Sequence, residues 1–292
     1  MVIPVHEPQV RPDPLNNNTD VSHSDRTRSG VNPVGVVLLA AAVFQIIGAV
    51  LPAVFDWGIA VNERSFQAQH PLVPEGAAFS IWSLIYLLGM VSGIWAVLPA
   101  NTRPQRFRFA VLCLSLIFVM NGLWALWVPF RGFDPASVII IVISVVAGLS
   151  ALMQLKHQKP DVKDILFVAL PLALVTGWVS AALMVNITSA LVESGFAAFD
   201  PRVPMNSGLV LMVLVLFAMT MIWLTRSRIY ALPVMWALFW ILSAAVNRDQ
   251  LPLMAALAGI GIGFILVELV VISLRKRKDR PETADDQSRG FS

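Results

Sequence analysis

The sequence is poor in the residues that build disulfides, metal centres and charged active sites. Its 292 residues include one cysteine, four histidines and two tyrosines, and 13% of them are charged. The single cysteine, Cys113, excludes an intramolecular disulfide, and its place in a long apolar run predicts a packed apolar residue. No two histidines stand at metal-ligand spacing; they are His6, His23, His70 and His157. We therefore expect neither a disulfide framework nor a metal centre.

Long apolar runs are what the sequence does contain. Hydrophobic residues make up 57% of the chain and the mean hydropathy is +0.73, values typical of integral membrane proteins. A helix needs about 20 apolar residues to cross the hydrocarbon core, and the runs lack the alternating pattern of an outer-membrane barrel. We predict an all-α, polytopic membrane helical bundle of about eight transmembrane helices, at residues 34–54, 77–98, 109–130, 136–155, 165–191, 207–225, 230–246 and 252–273.

The basic residues predict how these helices are oriented. If eight spans leave both termini in the cytoplasm, 17 of the 21 lysine and arginine residues lie on the cytoplasmic side, as the positive-inside rule requires. The other side receives Arg64, Arg131, Arg202 and Arg248. We expect a multi-pass protein of the plasma membrane with both termini cytoplasmic.

Polar segments flank the apolar part of the chain. Residues 1–33 are rich in Pro, Asn, Asp, Ser and Arg without an apolar stripe, which predicts a disordered cytoplasmic arm. Residues 274–292 form a basic cytoplasmic tail whose RKRK cluster suits an anionic leaflet. Because a stop-transfer anchor explains the same charges, the expected partner is the lipid bilayer and not a nucleic acid.

Charged residues and glycines within the spans indicate packing more than chemistry. Glu268 lies near the cytoplasmic end of the eighth span, where a snorkelling carboxylate or a partner for the basic tail is favoured over an ion-coupling site. The glycines of the second and eighth spans lack the strand and the lysine of a nucleotide site. They predict close helix contacts and are Gly89, Gly93, Gly259, Gly261 and Gly263.

Aromatic and amide side chains inside the spans are the candidates for a functional site. A buried polar group needs a hydrogen-bond partner, so such residues at membrane depth indicate either a helix interface or a ligand site. Each pair within a span projects to one side of its helix. The set consists of Trp82, Tyr86, Asn121, Trp124, Trp178 and Asn186.

The same residue types have a structural interpretation. Trp and Tyr form interfacial belts, and Asn bonds between helices without binding any ligand. The belt interpretation suits Trp57, Trp95 and Trp127, whereas Trp223, Trp236 and Trp240 fit either a lipid-facing or a core position. The residues alone leave packing and ligand binding both open.

Three stretches carry the aromatic and amide set in a fixed order. VPEGAAFSIWSLIYLLG opens the second span, NGLW lies in the third, and in the fifth a tryptophan is followed eight residues later by an asparagine. This order resembles the TspO/MBR family, the tryptophan-rich sensory proteins related to the mitochondrial translocator protein. The resemblance covers about residues 34–193, five of the eight spans, with matches at Pro74, Trp82, Tyr86, Asn121, Trp124, Trp178 and Asn186.

The sequence also departs from the family pattern. Val73 replaces the first of two prolines, and Gly76 stands where the family usually has a tryptophan that walls the pocket. Pro171 comes a few residues early, and the stretch ASVIIIVIS lacks the family's acidic residue in the fourth helix. Family members normally stop after five helices, so residues 207–273 add three, which either pack where other members dimerise or reshape the pocket.

The resemblance implies binding of a hydrophobic ligand, a porphyrin such as protoporphyrin or haem or a sterol-like molecule, with no cofactor required. It also implies a role in tetrapyrrole transport, sensing or stress regulation, and it allows a homodimer. We predict a cavity among the first five spans, closed on the non-cytoplasmic side by residues 55–76. Ring contacts would come from Trp82, Tyr86, Trp124 and Trp178, while Asn121 and Asn186 orient the ligand or fix the helices.

Two functions of different class follow from the sequence. The first is a porphyrin-binding sensor, regulator or tetrapyrrole transporter. The alternative is a membrane transporter of a small solute that uses all eight helices. No residue pair in the sequence resembles a nucleophile with its base, so we expect no enzymatic activity.

Overall fold

The structure, a computed structural model, describes residues 31–98, 103–199 and 204–278. Regular structure within these residues is helical throughout, and eight segments are long and apolar enough to cross a membrane. The predicted all-α membrane bundle with eight spans is therefore confirmed. Its long helices are α1 (Pro33–Val54), α2 (Ile81–Val97), α3 (Arg108–Arg131), α4 (Pro135–Leu155), α5 (Leu170–Glu193), α6 (Met205–Thr225), α7 (Arg228–Asn247) and α8 (Pro252–Lys278).

The two polar ends lie mostly outside the described residues. Residues 1–30 of the predicted arm and residues 279–292 of the predicted tail belong to that part of the chain. The first residues of the tail, up to Lys278, continue α8 as helix.

Polar residues set the beginnings of several helices. The Asn32 side chain accepts a hydrogen bond from the Val34 N–H at 3.1 Å and caps α1. Asp134 and Ser137 bond reciprocally at the start of α4, with Pro135 in its first turn. These side chains satisfy N–H groups that a helix leaves free at its first turn. The caps explain why the observed boundaries lie close to the predicted ones.

Two spans begin with a turn that is not α-helical. A 3₁₀ segment, Gly76–Ser80, precedes α2, and a π-helical turn, Ile165–Ala169, precedes α5. The π turn ends two residues before Pro171, which has no N–H for the carbonyl four residues earlier. A wider turn occurs where that hydrogen bond is missing, so the proline accounts for the π-helical turn.

The first five helices form a closed ring. α1 packs on α2 and α3, α3 packs on α4, α4 packs on α5, and α5 returns to α2. Small residues allow the backbones to approach: a Cβ at Gly48 would lie 2.6 Å from the Gly122 carbonyl oxygen, and one at Gly93 would lie 2.8 Å from the Leu39 Cα. A Cβ at Gly89 would lie 2.9 Å from the Gln45 Nε2. The close contacts predicted for Gly89 and Gly93 are confirmed.

The last three helices attach to this ring through α5. α7 packs along α5, α6 touches α4 and α5, and α8 packs mainly on α6 and α7. A side chain at Gly177 of α5 would collide with the Tyr230 carbonyl and the Pro233 ring of α7. Consequently α5 is the most buried of the spans and α8 the least. The last three helices therefore pack against the five-helix unit.

The glycines of α8 only partly follow the prediction of close helix contacts. A Cβ at Gly261 would lie 2.6 Å from the Val215 Cγ2, and one at Gly259 would lie 3.4 Å from the Leu242 Cδ1. Gly263 has no neighbour within 4 Å of its ideal Cβ. The predicted contact is therefore wrong at Gly263, because α8 lies at the edge of the bundle and one of its faces has no helical neighbour.

The bundle has two distinct ends. We call the end where α1 begins the terminal face; there Arg106 donates to the Lys159 carbonyl at 3.1 Å. The opposite end, the loop face, carries the lid loop, which we define as residues 55–80 between α1 and α2. The lid loop is tied to α3 by the hydrogen bond from the Ile59 N–H to the Pro129 carbonyl, 3.0 Å long.

Candidate functional site

The aromatic residues predicted for the site cluster between α2 and α5. Trp82 and Tyr86 lie one turn apart on α2 and stack with ring centroids 5.7 Å apart. The Trp82 ring also meets Trp178 of α5 edge to face at 6.0 Å. Offset and edge-to-face pairs at these distances are attractive. Residues almost one hundred positions apart in the chain thus form one aromatic group.

The amides predicted for the site join helices. Asn186 accepts a hydrogen bond from the Trp124 Nε1 at 2.9 Å and donates from Nδ2 to the Ser137 Oγ at 2.9 Å. Asn121 donates from Nδ2 to the Gln45 Oε1 at 3.5 Å. Asn186 is 2% exposed and Asn121 is 7% exposed. Asn186 therefore links α3, α4 and α5 through its two hydrogen bonds.

A cavity of about 420 Å³ lies on the loop face between the lid loop and the ends of α1, α2 and α3. We call it the lid cavity. Four of the seven predicted site residues line it: Trp82, Tyr86, Asn121 and Trp124.

The other three predicted site residues lie outside the lining of the lid cavity. Trp178 is 4% exposed and stands behind the Trp82 ring, and Asn186 is enclosed between α3, α4 and α5. Pro74 faces α7, where its carbonyl accepts a hydrogen bond from Arg248 at 3.4 Å. These residues support the lining and the lid without facing the cavity.

The lid loop itself contributes cavity residues that the sequence did not single out. Trp57 lines the lid cavity and stacks on Phe55 at 4.9 Å, although it was predicted as a belt residue. Asp56 and Glu63 also line it, as does Phe79 just before α2. The sequence could have indicated these residues. Residues 55–76 were predicted to close the cavity, and these side chains fall within that loop or just past its end.

Gly76, at the position where the family usually has tryptophan, does line the lid cavity. Its ideal Cβ would lie 3.4 Å from the Phe66 Cζ on the short helix Val61–Gln67. The lid loop thus places Phe66 next to the position that lacks the tryptophan ring.

Helix α7 holds the second half of the lid loop. The Arg248 Nη2 donates to the Val73 carbonyl at 2.8 Å, and the Trp236 Nε1 donates to the Ala78 carbonyl at 3.0 Å. The Glu75 N–H donates to the Trp240 carbonyl at 3.2 Å. Trp236 and Trp240 therefore lie against the lid loop. The sequence had left both a lipid-facing and a core position open for them. Helix α7 and Arg248, the residue that follows it, therefore hold the lid loop in place.

One serine and one histidine come within hydrogen-bond distance on the loop face. The His70 Nε2 lies 2.9 Å from the Ser189 Oγ, and the Leu72 N–H donates to the His70 Nδ1 at 3.3 Å. Because Nδ1 accepts, Nε2 carries the proton and donates to the serine, which is the wrong direction for a general base. Burial, and secondarily the charge of Arg248, lower the pKa of His70 from 6.5 to about 3. Ser189 is fully buried, so the pair tethers the lid loop to α5.

Two cavities larger than the lid cavity lie elsewhere in the described part of the bundle. One of about 450 Å³ lies on the loop face between the lid loop and the turn after α7, and includes Phe66, His70 and Arg248. The other, about 1150 Å³, lies on the terminal face among α4, α6 and α8, and includes Lys156 and Glu268. Neither contains any of the seven predicted site residues.

Comparison with known proteins identifies the family of the chain. Searches of curated proteins and of solved structures found no match for this chain. A family model described as TSPO-like protein matches residues 33–271. The match runs from the start of α1 into α8, beyond residues 34–193 that carry the motif resemblance, so the additional helices fall within it. On its motifs, its helical architecture and this match, the chain belongs to the family of TSPO-like proteins.

Proposed function

We propose that this protein binds a flat hydrophobic small molecule in the lid cavity and acts as a sensor, regulator or carrier of that molecule. One observation carries the proposal: a cavity of about 420 Å³ whose lining includes the matched family residues Trp82, Tyr86, Asn121 and Trp124. Its volume is within the range of small-molecule sites, about 300–1,000 Å³, and such sites combine apolar walls with a few polar groups.

Ring faces favour a flat ligand. Trp82 and Tyr86 stack with 22° between their planes, and both rings line the cavity. Trp124 lies on the neighbouring helix, and Trp57 belongs to the lid loop. A planar ligand buries apolar area against such rings and gains from offset stacking.

Porphyrins are the ligand class that family membership suggests. The lining suits the aromatic ring of a porphyrin better than it suits a haem iron. Among the lining residues Tyr86 alone has a side chain of the kind that serves as an axial iron ligand. The free-base ring is therefore the preferred probe of this cavity.

The experiment is a titration of the purified protein in nanodiscs with protoporphyrin dimethyl ester, followed by the shift of its Soret band. We expect saturable binding that weakens about fivefold or more in the Trp82→Phe, Trp124→Phe double variant, because each indole contributes stacking area. Trp223→Phe is the matched control, since Trp223 is 58% exposed and lies at the terminal-face cavity. Non-saturable binding, or equal affinity in the double variant and the control, would contradict the proposal.

A further inference from the structure

The charged side chains that line the lid cavity are all acidic. Asp56 and Glu63 lie at its mouth in the lid loop, and no lysine or arginine is among the described residues that line it. Both carboxylates are exposed on the loop face. The lid-loop side of the cavity, which we call its mouth, therefore carries negative charge.

The described cations of the loop face are directed to other partners. The Arg64 Nη2 donates to the Pro129 carbonyl at 3.5 Å. The Arg131 guanidinium lies 5.9 Å from the Trp127 ring centroid. Arg248 pairs with Asp249 at 2.7 Å and bonds to the lid-loop backbone. None of the three is a lining residue; Arg64, which bonds to the lining residue Pro129, offsets at most one of the two carboxylate charges.

Deeper in the cavity Asn121 adds an amide oxygen that can accept a hydrogen bond. Asn121 is 7% exposed and uses Nδ2 for its bond to Gln45, so its Oδ1 has no donor among the described residues. The faces of Trp57, Trp82 and Trp124 carry the negative end of the aromatic quadrupole and attract cations. Carboxylates, a free amide oxygen and ring faces together match a ligand that brings positive charge and an N–H donor.

We propose that the lid cavity selects a flat organic cation and disfavours anionic ligands, including porphyrins that bear free propionates. This inference rests on the proposed function, since it assigns a ligand class to the same cavity. The attraction arises because opposite charges near a low-dielectric wall interact more strongly than in bulk water, and salt screens the part of it that is exposed to solvent. A neutral flat ligand binds with intermediate affinity, through its ring contacts alone.

The experiment compares three acridines of nearly equal shape: 9-aminoacridine as cation, acridine as neutral ligand and acridine-9-carboxylate as anion. The protein is held in nanodiscs of zwitterionic lipid, so that the membrane itself does not select by charge. We expect the cation to bind about tenfold or more tighter than the anion, with the difference shrinking as salt is added. Acridine fluorescence reports each affinity.

Variants test whether the two carboxylates cause the selection. The Asp56→Asn, Glu63→Gln double variant should bring the affinity of 9-aminoacridine close to that of acridine. Asparagine suits position 56, whose backbone has φ of 51°, because Asn tolerates the left-handed region better than most residues. Glu75→Gln is the matched control, since Glu75 belongs to the lid loop but not to the cavity lining.

Each outcome decides between the inference and the proposed function. Equal affinities for the three ligands, or a tighter anion, would overturn the charge selection while leaving ligand binding in place. A cation preference that persists in the double variant would overturn the role of the two carboxylates. Failure of all three acridines to bind saturably would overturn the charge selection, and failure of the porphyrin ester as well would remove the proposed function.

Discussion

Asn186 connects three helices through one amide group, and the cost of losing it can be predicted. In Asn186→Ala the Trp124 Nε1 and the Ser137 Oγ both lose a partner inside the bundle. We expect a loss of about 1–3 kcal/mol in the free energy of unfolding, measured by denaturant titration in mixed micelles. Asn247→Ala is the control, because Asn247 is exposed and bonds only to Ser243; an equal loss there would argue against the network.

His70 predicts how stability depends on pH. Its pKa in the folded protein is lowered from 6.5 to about 3, so between these values the unfolded chain binds a proton that the folded chain does not. Stability contributed by neutral His70 is therefore present above pH 6.5 and is lost as the pH falls towards 3, at about 1.4 kcal/mol per pH unit.

The matched variant is His70→Gln, which cannot titrate in this range. Unfolding free energies of both proteins are measured at a series of pH values, and the variant is expected to lack the His70 part of the slope. If the unfolding free energies of the two proteins depended on pH in the same way, protonation of His70 would cost no stability. That result would contradict the effect expected from its buried position beside Ser189 and Leu72.

At the scale of helices, backbone contact at glycine decides which element is central. Gly177 lets α5 lie directly against α7, and a methyl group there would meet the Tyr230 carbonyl and the Pro233 ring. Neither of these can move without shifting the whole of α7. Helix α5 thus joins the five-helix ring to the helices that follow it.

Gly177→Ala is expected to destabilise the protein by about 1–3 kcal/mol, the usual cost of overpacking. Thermal unfolding in detergent, followed by circular dichroism, measures the effect. Gly263→Ala on α8 is the control, because its added methyl would meet no atom within 4 Å and alanine favours the helix. Similar melting temperatures for the two variants would contradict the close α5–α7 contact.

For the whole molecule, the distribution of basic residues predicts the orientation in the membrane. Most of the lysines and arginines that the structure describes lie at the end where α1 begins, which we expect to face the cytoplasm. Cys113 is the single cysteine and is buried, so a new cysteine at a loop can be labelled selectively. This property gives a direct test of topology.

Cysteines are introduced one at a time into the Cys113→Ser background, at Ser194 after α5 and at Ser227 between α6 and α7. A membrane-impermeant maleimide applied to intact cells should label Ser194→Cys and leave Ser227→Cys unlabelled until the membrane is permeabilised. The reverse pattern would invert the predicted orientation and place the lid loop on the cytoplasmic side.

The sequence by itself determined the class of the protein, its eight spans and the residues on each helix that are chemically unusual. These properties are local: apolar runs of membrane length, polar caps such as Asp134, and the one-turn spacing of Trp82 and Tyr86. Each can be recognised without knowing which helices are neighbours.

Only the tertiary structure decided which of those residues share a cavity. Asn186 and Trp178 lie behind the cavity wall, while Asp56 and Trp57 come into it from the lid loop. The hydrogen bonds between α7 and the lid loop join residues far apart in the chain. Trp236 and Ala78, for example, are separated by 158 positions. Such contacts depend on how α5 and α7 pack, and helix periodicity carries no information about that choice.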